Sequence, residues 1–337
     1  KKYGVRPGLY YCVLDKHNEP GDKYKGKVEP EYFELIRAQL AELHTHYPGI
    51  YEQWIDIPWK LSPAQRQELY DLIKKHSPAC LVMMNNGFRD GAQQIVKGCW
   101  PSDLTNGERT VPPAPRHNPV KQLGGKTYYL PMEVCETSSR HWFYLPKDPP
   151  KPTRCLYLLY RNSVQRGANL LLDVPPDKTG RIPDFHVEAL RKLKQAIDNP
   201  RKHPAPITLG RKAHASHVHQ GNLAYGAQSA VDDDYCTRWA TPNGVTSAWL
   251  EVDLGRPTTF DRAVLMEAYP ELDRIRAFRI EYMRDGQWRV AHEGKRIGAG
   301  LEVSFKPVTA RLVRLNVTEA EGGPAIWDFQ LFEAAKE

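Results

Sequence analysis

The sequence predicts two units of different class: an α/β unit forming part of a (β/α)8-type barrel, followed by an antiparallel β-sandwich. Three observations carry this. Up to about residue 200, short apolar runs alternate with helical patterns, the signature of a parallel sheet with helical crossovers. The stretch "DNPRKHPAPITLG" then brings three prolines and no apolar period. Beyond it come short alternating runs separated by turns, as in an all-β sandwich. The expected boundaries are 1–200 for the barrel portion, 201–206 for a linker and 207–337 for the sandwich.

Taken in order, "GLYYCVL" reads as a strand and "EYFELIRAQLAELHTHY" as a helix, because Phe33, Ile36, Leu40 and Leu43 recur at helical spacing. "GIYEQWID" is the next strand. In "SPAQRQELYDLIKKHSP", Ser62 suits an N-cap, Pro63 the first helical position and Pro78 the stop. "CLVMMNN", "KTYYLPMEV" and "ANLLLDVPP" complete five strands, with "HVEALRKLKQAI" as a closing helix. A closed barrel of this type has eight strands in roughly 250 residues, so only about five of them belong to this chain. In the sandwich, "AWLEVDLG", "FDRAVLMEA", "AFRIEYMRDGQWRVA", "LEVSF", "ARLVRLNVTEA" and "IWDFQLFE" read as strands, and Asp285-Gly286 marks a hairpin.

Composition narrows the function. The 337 residues are 41% hydrophobic and 26% charged, ordinary for a globular protein. The net charge of +7 comes from 47 Lys and Arg interspersed with 40 acids, without the clustered stripe of a nucleic-acid binder. No apolar run approaches the ~20 residues of a membrane span, so membrane insertion is not expected. The six cysteines form no CxxC pair and lie in or near apolar segments, as buried free thiols do.

Chemistry is expected at the carboxyl ends of the parallel strands, where loops converge. Asp56 ends the strand "YEQWID"; the alternative is a helix cap or loop ion pair. Glu108 lies in the Gly- and Pro-rich stretch "WPSDLTNGERTVPP", and Glu133 ends the apolar run "YYLPMEV". Two carboxylates on one pocket are what glycoside hydrolysis needs. Trp54, Trp59, Trp100, Trp142, Phe143 and Tyr144 suit stacking on a sugar face or packing in a core.

The ordered set "YEQWID", "VMMNNGFRD", "NGERTVPP", "YYLPMEVCETSSRHWFY" and "SVQRGANLLLDVPPDKTGRIP" resembles the retaining α-L-fucosidases of glycoside hydrolase family 29, over roughly residues 3–200. The last motif is the most specific. The resemblance implies an exo-acting enzyme that removes terminal α-L-fucose from glycans by double displacement, with Asp56 as nucleophile. The family's acid/base lies in a variable loop, which puts Glu108 first and Glu133 as the alternative. Arg89, in "NNGFRD", is a candidate to contact the sugar or orient a carboxylate, and otherwise a surface ion pair. Trp54, Trp142 and Phe143 are candidates to line the sugar. Catalysis of this kind requires no cofactor. The family's His-rich motif and an early tryptophan would precede Lys1, so the partner expected here, besides a fucosylated oligosaccharide, is an N-terminal barrel fragment or a segment outside this sequence. Fucosylated glycans are met in the periplasm or outside the cell, and that is the expected localisation. The alternatives are a non-catalytic glycan-binding protein on a degenerate hydrolase fold and a retaining glycosidase for another sugar.

"SAVDDDYCTRWAT", "AWLEVDLG" and "IWDFQLFE" resemble the factor 5/8 type C, or discoidin-like, sandwich over about residues 206–335, whose relatives include carbohydrate-binding modules of family 32. The resemblance implies glycan binding that holds the enzyme near its substrate. It also makes Asp232, Asp234 and Thr237 candidate ligands of a structural calcium, although Asp233 stands where the family usually has glycine. A solvated acidic loop is the alternative. Trp239 and Trp249 read as core residues.

Overall fold

The computed structural model describes residues 3–15, 17, 27–85, 99–108, 115 and 117–334. The chain divides into two compact units, 1–135 with 166–171, and 136–165 with 172–337. The expected linker at 201–206 falls inside the second.

In the first unit, β1 (Gly8–Cys12), β2 (Glu52–Asp56) and β3 (Leu81–Asn85) form a parallel sheet in that order. The crossovers are α1 (Pro30–His46) and α2 (Pro63–His76). The α1 helix starts on a proline and buries Phe33, Ile36 and Leu40. The α2 helix opens with a capping box: Ser62 Oγ accepts from the Gln65 N–H at 3.2 Å, and Gln65 Oε1 accepts from the Ser62 N–H at 2.8 Å. Such a cap is worth about 1 kcal/mol. Strand alternation then sorts the side chains. Ile55, Val82 and Met84 pack with Ile36, Leu40, Leu69 and Ile73 in a closed core. Trp54, Asp56 and Asn85 therefore take the other face. The register pairs Cys12 with Asp56 and Asp56 with Asn85, so three strand ends meet in one row.

A second sheet begins with β4 (Thr105–Glu108). After it, β5 (Val120–Leu123) and β6 (Lys126–Tyr129) form a hairpin across Gly124-Gly125, both at positive φ. Next, β7 (Met132–Thr137) pairs parallel to β4, and β8 (Asn169–Asp173) completes the order β4-β7-β8. Two expectations are corrected here. "KTYYLPMEV" is not one strand, because Leu130-Pro131 breaks it and its halves join different sheets. These two sheets hold six strands among the described residues where about five were expected, since "TNGE" in β4 has no apolar residue to reveal it. Of the six cysteines, all free thiols, Cys12 and Cys236 are only half-buried.

The second unit contains α3 (Thr153–Ser163), α4 (Asp184–Asp198) and a seven-stranded antiparallel sheet. Its strands are β9 (Lys212–Ala215), β10 (Trp239–Ala240), β11 (Ala248–Glu267), β12 (Ile275–Arg284), β13 (Gln287–Gly294), β14 (Leu301–Ala320) and β15 (Ala325–Glu333). The runs expected as four strands are the two 20-residue strands β11 and β14, which stay paired through register shifts. At those shifts β11 changes its other partner: Leu250–Asp253 pair with β9, and Phe260–Glu267 with β15. Strands that switch partners at bulges are how a sheet folds over its own core. That core holds Trp239, Phe260, Phe278 and Phe329. Trp249 is half-buried. Asp285-Gly286, both at positive φ, turn β12 into β13. Among the described residues no helix is long and apolar enough to cross a membrane.

Asp233 keeps the left-handed conformation that glycine would favour, at φ 62°. An aspartate tolerates it better than most residues, and here its carboxylate is held. Oδ1 accepts from Arg154 Nη2 at 2.7 Å and from Gln330 Nε2 at 2.7 Å, while Oδ2 accepts from Arg161 Nη1 at 2.5 Å. Arg154 and Asp233 are each 5% exposed at the side chain. Removing one partner of a buried pair leaves a bare charge and costs about 3–5 kcal/mol. Asp233→Gly is therefore expected to destabilise the protein by that order despite relieving the backbone, read as a lower urea midpoint. A midpoint at or above wild type would show that backbone conformation outweighs the ion pair.

Candidate active site

Asp56 closes β2, and the next residue, Ile57, sits at φ 60°. A β-branched residue rarely adopts that conformation, and such strain gathers at functional sites. The Asp56 carbonyl is held by the Val13 N–H at 3.1 Å. Both carboxylate oxygens accept hydrogen bonds: Oδ2 from the Tyr10 hydroxyl at 2.6 Å, and Oδ1 from Asn85 Nδ2 at 2.7 Å. Tyr10 is 64% exposed, and partial burial of the phenol, then the hydrogen bond and charge of Asp56, raise it above its usual range, so it remains a donor.

The same Asn85 Nδ2 reaches Glu108 Oε2 at 2.9 Å. Glu108 is the last residue of β4, a strand end rather than the loop position expected. Two residues earlier on the same strand face, Asn106 donates its amide to Asn85 Oδ1. This fixes which way the Asn85 amide points, since the flipped amide would set oxygens against carboxylates. One amide therefore brings Asp56 and Glu108 together.

Glu133 occupies a different place. It lies inside β7 rather than at its end, with no exposed surface. Oε1 accepts from the Trp54 indole N–H at 2.7 Å and Oε2 from Asn169 Nδ2 at 2.6 Å. The same indole reaches Glu52 Oε1 at 3.0 Å. Burial foremost, then the charge of Glu133, push the Glu52 carboxyl up to about 8. Trp54 is itself buried, with its N–H committed to these acids.

Trp142 and Phe143 belong to the second unit, Trp142 half-buried and Phe143 82% exposed. Their loop is anchored by Asp148, whose Oδ2 accepts from the His141 N–H at 2.9 Å, and by the buried Lys151, bound to Glu136 Oε1 at 3.1 Å. Arg89 lies outside the described residues. Asp232, Asp234 and Thr237 share one loop of the second unit: Asp232 Oδ2 accepts from Thr237 Oγ1 at 2.7 Å, and Asp234 Oδ1 from the Cys236 N–H at 2.8 Å. Among the described residues no three His, Cys, Asp or Glu side chains form a metal-ligand set. Tyr10, Asn85 and Asn106 were not among the residues expected from sequence. Their signal is positional, since Tyr10 and Asn85 lie on the strands flanking Asp56.

Residues 1–198 match the family model described as Alpha-L-fucosidase. The chain belongs to the α-L-fucosidase family. Residues 212–329 match the F5/8 type C domain. An Arabidopsis thaliana protein named Alpha-L-fucosidase 1 is 26% identical over 345 residues, covering 97% of this chain and 65% of its own length. A rice relative is 25% identical over 340 residues, covering 98% and 64%. The chain thus spans under two thirds of these curated relatives. Among solved structures, a Ruminococcus gnavus GH29 fucosidase in complex with fucose aligns over 99% of this chain and 73% of its own, at 23% identity and TM-score 0.45.

The Glu52 carboxyl gives a pH prediction. Its folded value of about 8 exceeds the usual 4.5, so the folded state holds a proton that the unfolded state has released. Its stabilisation is full below pH 4.5 and lost as pH rises to about 8. Glu52→Gln, neutral throughout, is expected to gain on wild type in melting temperature across that window and to level off above it. A constant difference from pH 5 to 9 would mean that Glu52 is ionised throughout.

Proposed function

We propose that the protein is a retaining exo-α-L-fucosidase acting on fucosylated glycans. The observation that carries this is the Asn85 amide holding Asp56 and Glu108 on one site, in a chain of the α-L-fucosidase family. The two acceptor oxygens can be no farther apart than those two hydrogen bonds laid end to end. One oxygen of each carboxyl thus lies against the same amide, a close approach of the kind the direct attack of a retaining enzyme uses.

In this mechanism Glu108 protonates the glycosidic oxygen while an oxygen of Asp56 attacks the anomeric carbon. The leaving alcohol departs with the proton, and a fucosyl ester of Asp56 remains. Glu108, now ionised, takes a proton from water as it attacks the same carbon, and Asp56 is released as carboxylate. Tyr10 and Asn85 hold the Asp56 carboxylate in one orientation before attack and receive its charge again when the ester opens. Glu133 is the weaker choice of acid, because both its oxygens accept from neutral donors in a closed environment. These steps need no cofactor. We infer a periplasmic or extracellular location, where such glycans are met.

A structural calcium in the second unit belongs to the same reading. Thr237 Oγ1 lies 2.7 Å from Asp232 Oδ2, 3.0 Å from the Asp234 carbonyl and 3.4 Å from the Ser229 carbonyl, oxygen donors of the kind calcium takes. Burial pushes the Asp232 carboxyl up to about 6, a cost that a cation would relieve. Calcium is expected to raise the melting temperature of wild type and not of Asp232→Ala; a melt indifferent to calcium and chelator would refute the site.

With 4-nitrophenyl α-L-fucoside, Asp56→Gly is expected to lose about a thousandfold or more in turnover. Glu108→Ala is expected to lose about 10²–10⁴-fold, with partial rescue by azide. NMR should show α-fucose as the first product. Full turnover by Asp56→Gly would end the nucleophile assignment. Loss and azide rescue in Glu133→Ala, with Glu108→Ala unaffected, would move the acid/base to Glu133.

A further inference from the structure

A cleft of about 290 Å³ opens in the second unit beside the start of α3 and lies far along the sequence from the carboxylates described above. Its walls carry Arg154, Lys192, His203, Arg262, Glu302 and Phe332. Three of these are permanent cations, and each has a carboxylate beside it: Arg154 has Asp233 at 2.7 Å, Lys192 has Glu188 at 3.7 Å, and Arg262 has Glu302. Glu302 is already paired with Arg262 at 2.7 Å, and the Arg262 guanidinium lies 4.0 Å from the centre of the Phe332 ring. Arg154 is the unusual member. It is almost fully buried, with Nε on Gln330 Oε1 at 2.8 Å and Nη2 on Asp233 at 2.7 Å. Its remaining nitrogen, Nη1, has no hydrogen-bond partner among the described residues.

The backbone adds donors at the same place. Thr153, the first residue of α3, lines the cleft, and the helix starts after Pro152 without a side-chain cap. The N–H groups of Thr153 and Arg154, both on the cleft wall, find no acceptor among the described residues. Uncapped first-turn N–H groups with a helix dipole behind them favour an anion, and a guanidinium edge adds paired, charge-assisted donors. The volume is close to the lower end for small-ligand sites and holds about one sugar ring.

We propose that this cleft binds an oxyanion group, a sulfate ester or a carboxylate, carried by an acidic sugar. The oxyanion follows from Arg154 Nη1, Lys192, Arg262 and the uncapped helix. The sugar carrier rests on the glycan-processing reading given above. Such a site would let the protein favour acidic glycans independently of the group that is hydrolysed.

The test is calorimetric titration of the whole protein with glucose 6-sulfate, glucuronate, glucose and sodium sulfate at constant ionic strength. Both acidic sugars are expected to bind and glucose not to. Lys192→Ala and Arg262→Gln should each weaken binding by about tenfold, the worth of one charged hydrogen bond. Glu302→Gln should strengthen it. His203, whose imidazole is lowered by burial and by Arg154 and Arg262, should titrate at higher pH once the anion is bound. Equal binding of glucose, or unchanged binding in both cation variants, would overturn the site. Inorganic sulfate binding as tightly as the sugar sulfate would overturn the sugar carrier. Fucoside turnover measured alongside keeps the two readings apart: its absence with acidic-sugar binding intact defeats the fucosidase reading alone.

Discussion

The Asn85 amide is the constraint on which the site of the first unit depends. An amide nitrogen has two hydrogens, and here they serve carboxylates from two different strands, Asp56 on β2 and Glu108 on β4. Its oxygen is occupied by Asn106. This arrangement requires the parallel register that sets Cys12, Asp56 and Asn85 side by side. A slip of one residue would turn Asp56 into the helix-packed core and Ile55 out of it. The register is in turn fixed by the core of Ile55, Val82, Met84, Ile36, Leu40, Leu69 and Ile73, so aliphatic packing behind the sheet decides where the acids meet.

Four carboxylates follow one another across these strands, and among the described residues their hydrogen-bond donors are all neutral. Asp56 and Glu108 receive a phenol and an amide; Glu52 and Glu133 receive an indole and an amide. Neutral donors stabilise a carboxylate without cancelling its charge. A strip of this kind favours keeping one proton on a closely spaced pair, as Glu52 does beside Glu133. In the proposed reaction it would also lay negative potential where an oxocarbenium-like transition state places positive charge.

The sequence was most legible where local chemistry agrees with the fold. Ser62 and Pro63 start α2 as expected, with Gln65 completing the cap in the structure, and Asp285-Gly286 turns the hairpin at the expected position. It was least legible where tertiary partners decide. The β4 strand reads as loop because Thr105, Asn106, Gly107 and Glu108 carry no apolar alternation, and pairing to β7 makes them a strand. Asp56 stood out as a charge at the end of an apolar run. Tyr10 and Asn85 did not, since an uncharged polar residue at a strand end carries no signal until the neighbouring strand is known. Asp233 was unreadable for the opposite reason: its left-handed backbone is a local cost offset by Arg154 and Arg161, about 70–80 positions away in sequence.

That same Arg154 ties structure to surface chemistry in the second unit. A guanidinium has a fixed planar fork, so fixing two of its nitrogens aims the third. Gln330 and Asp233 fix Nε and Nη2, and Gln330 in turn bonds Asp233, closing a ring of three side chains. The helix that carries Arg154 is thereby set in one rotation, which leaves Thr153 and the uncapped first turn on the wall of the basic cleft. A glycine at position 233 would satisfy the turn but release this ring. The aspartate makes the loop conformation, the placement of α3 and the direction of the free guanidinium edge consequences of one buried charge.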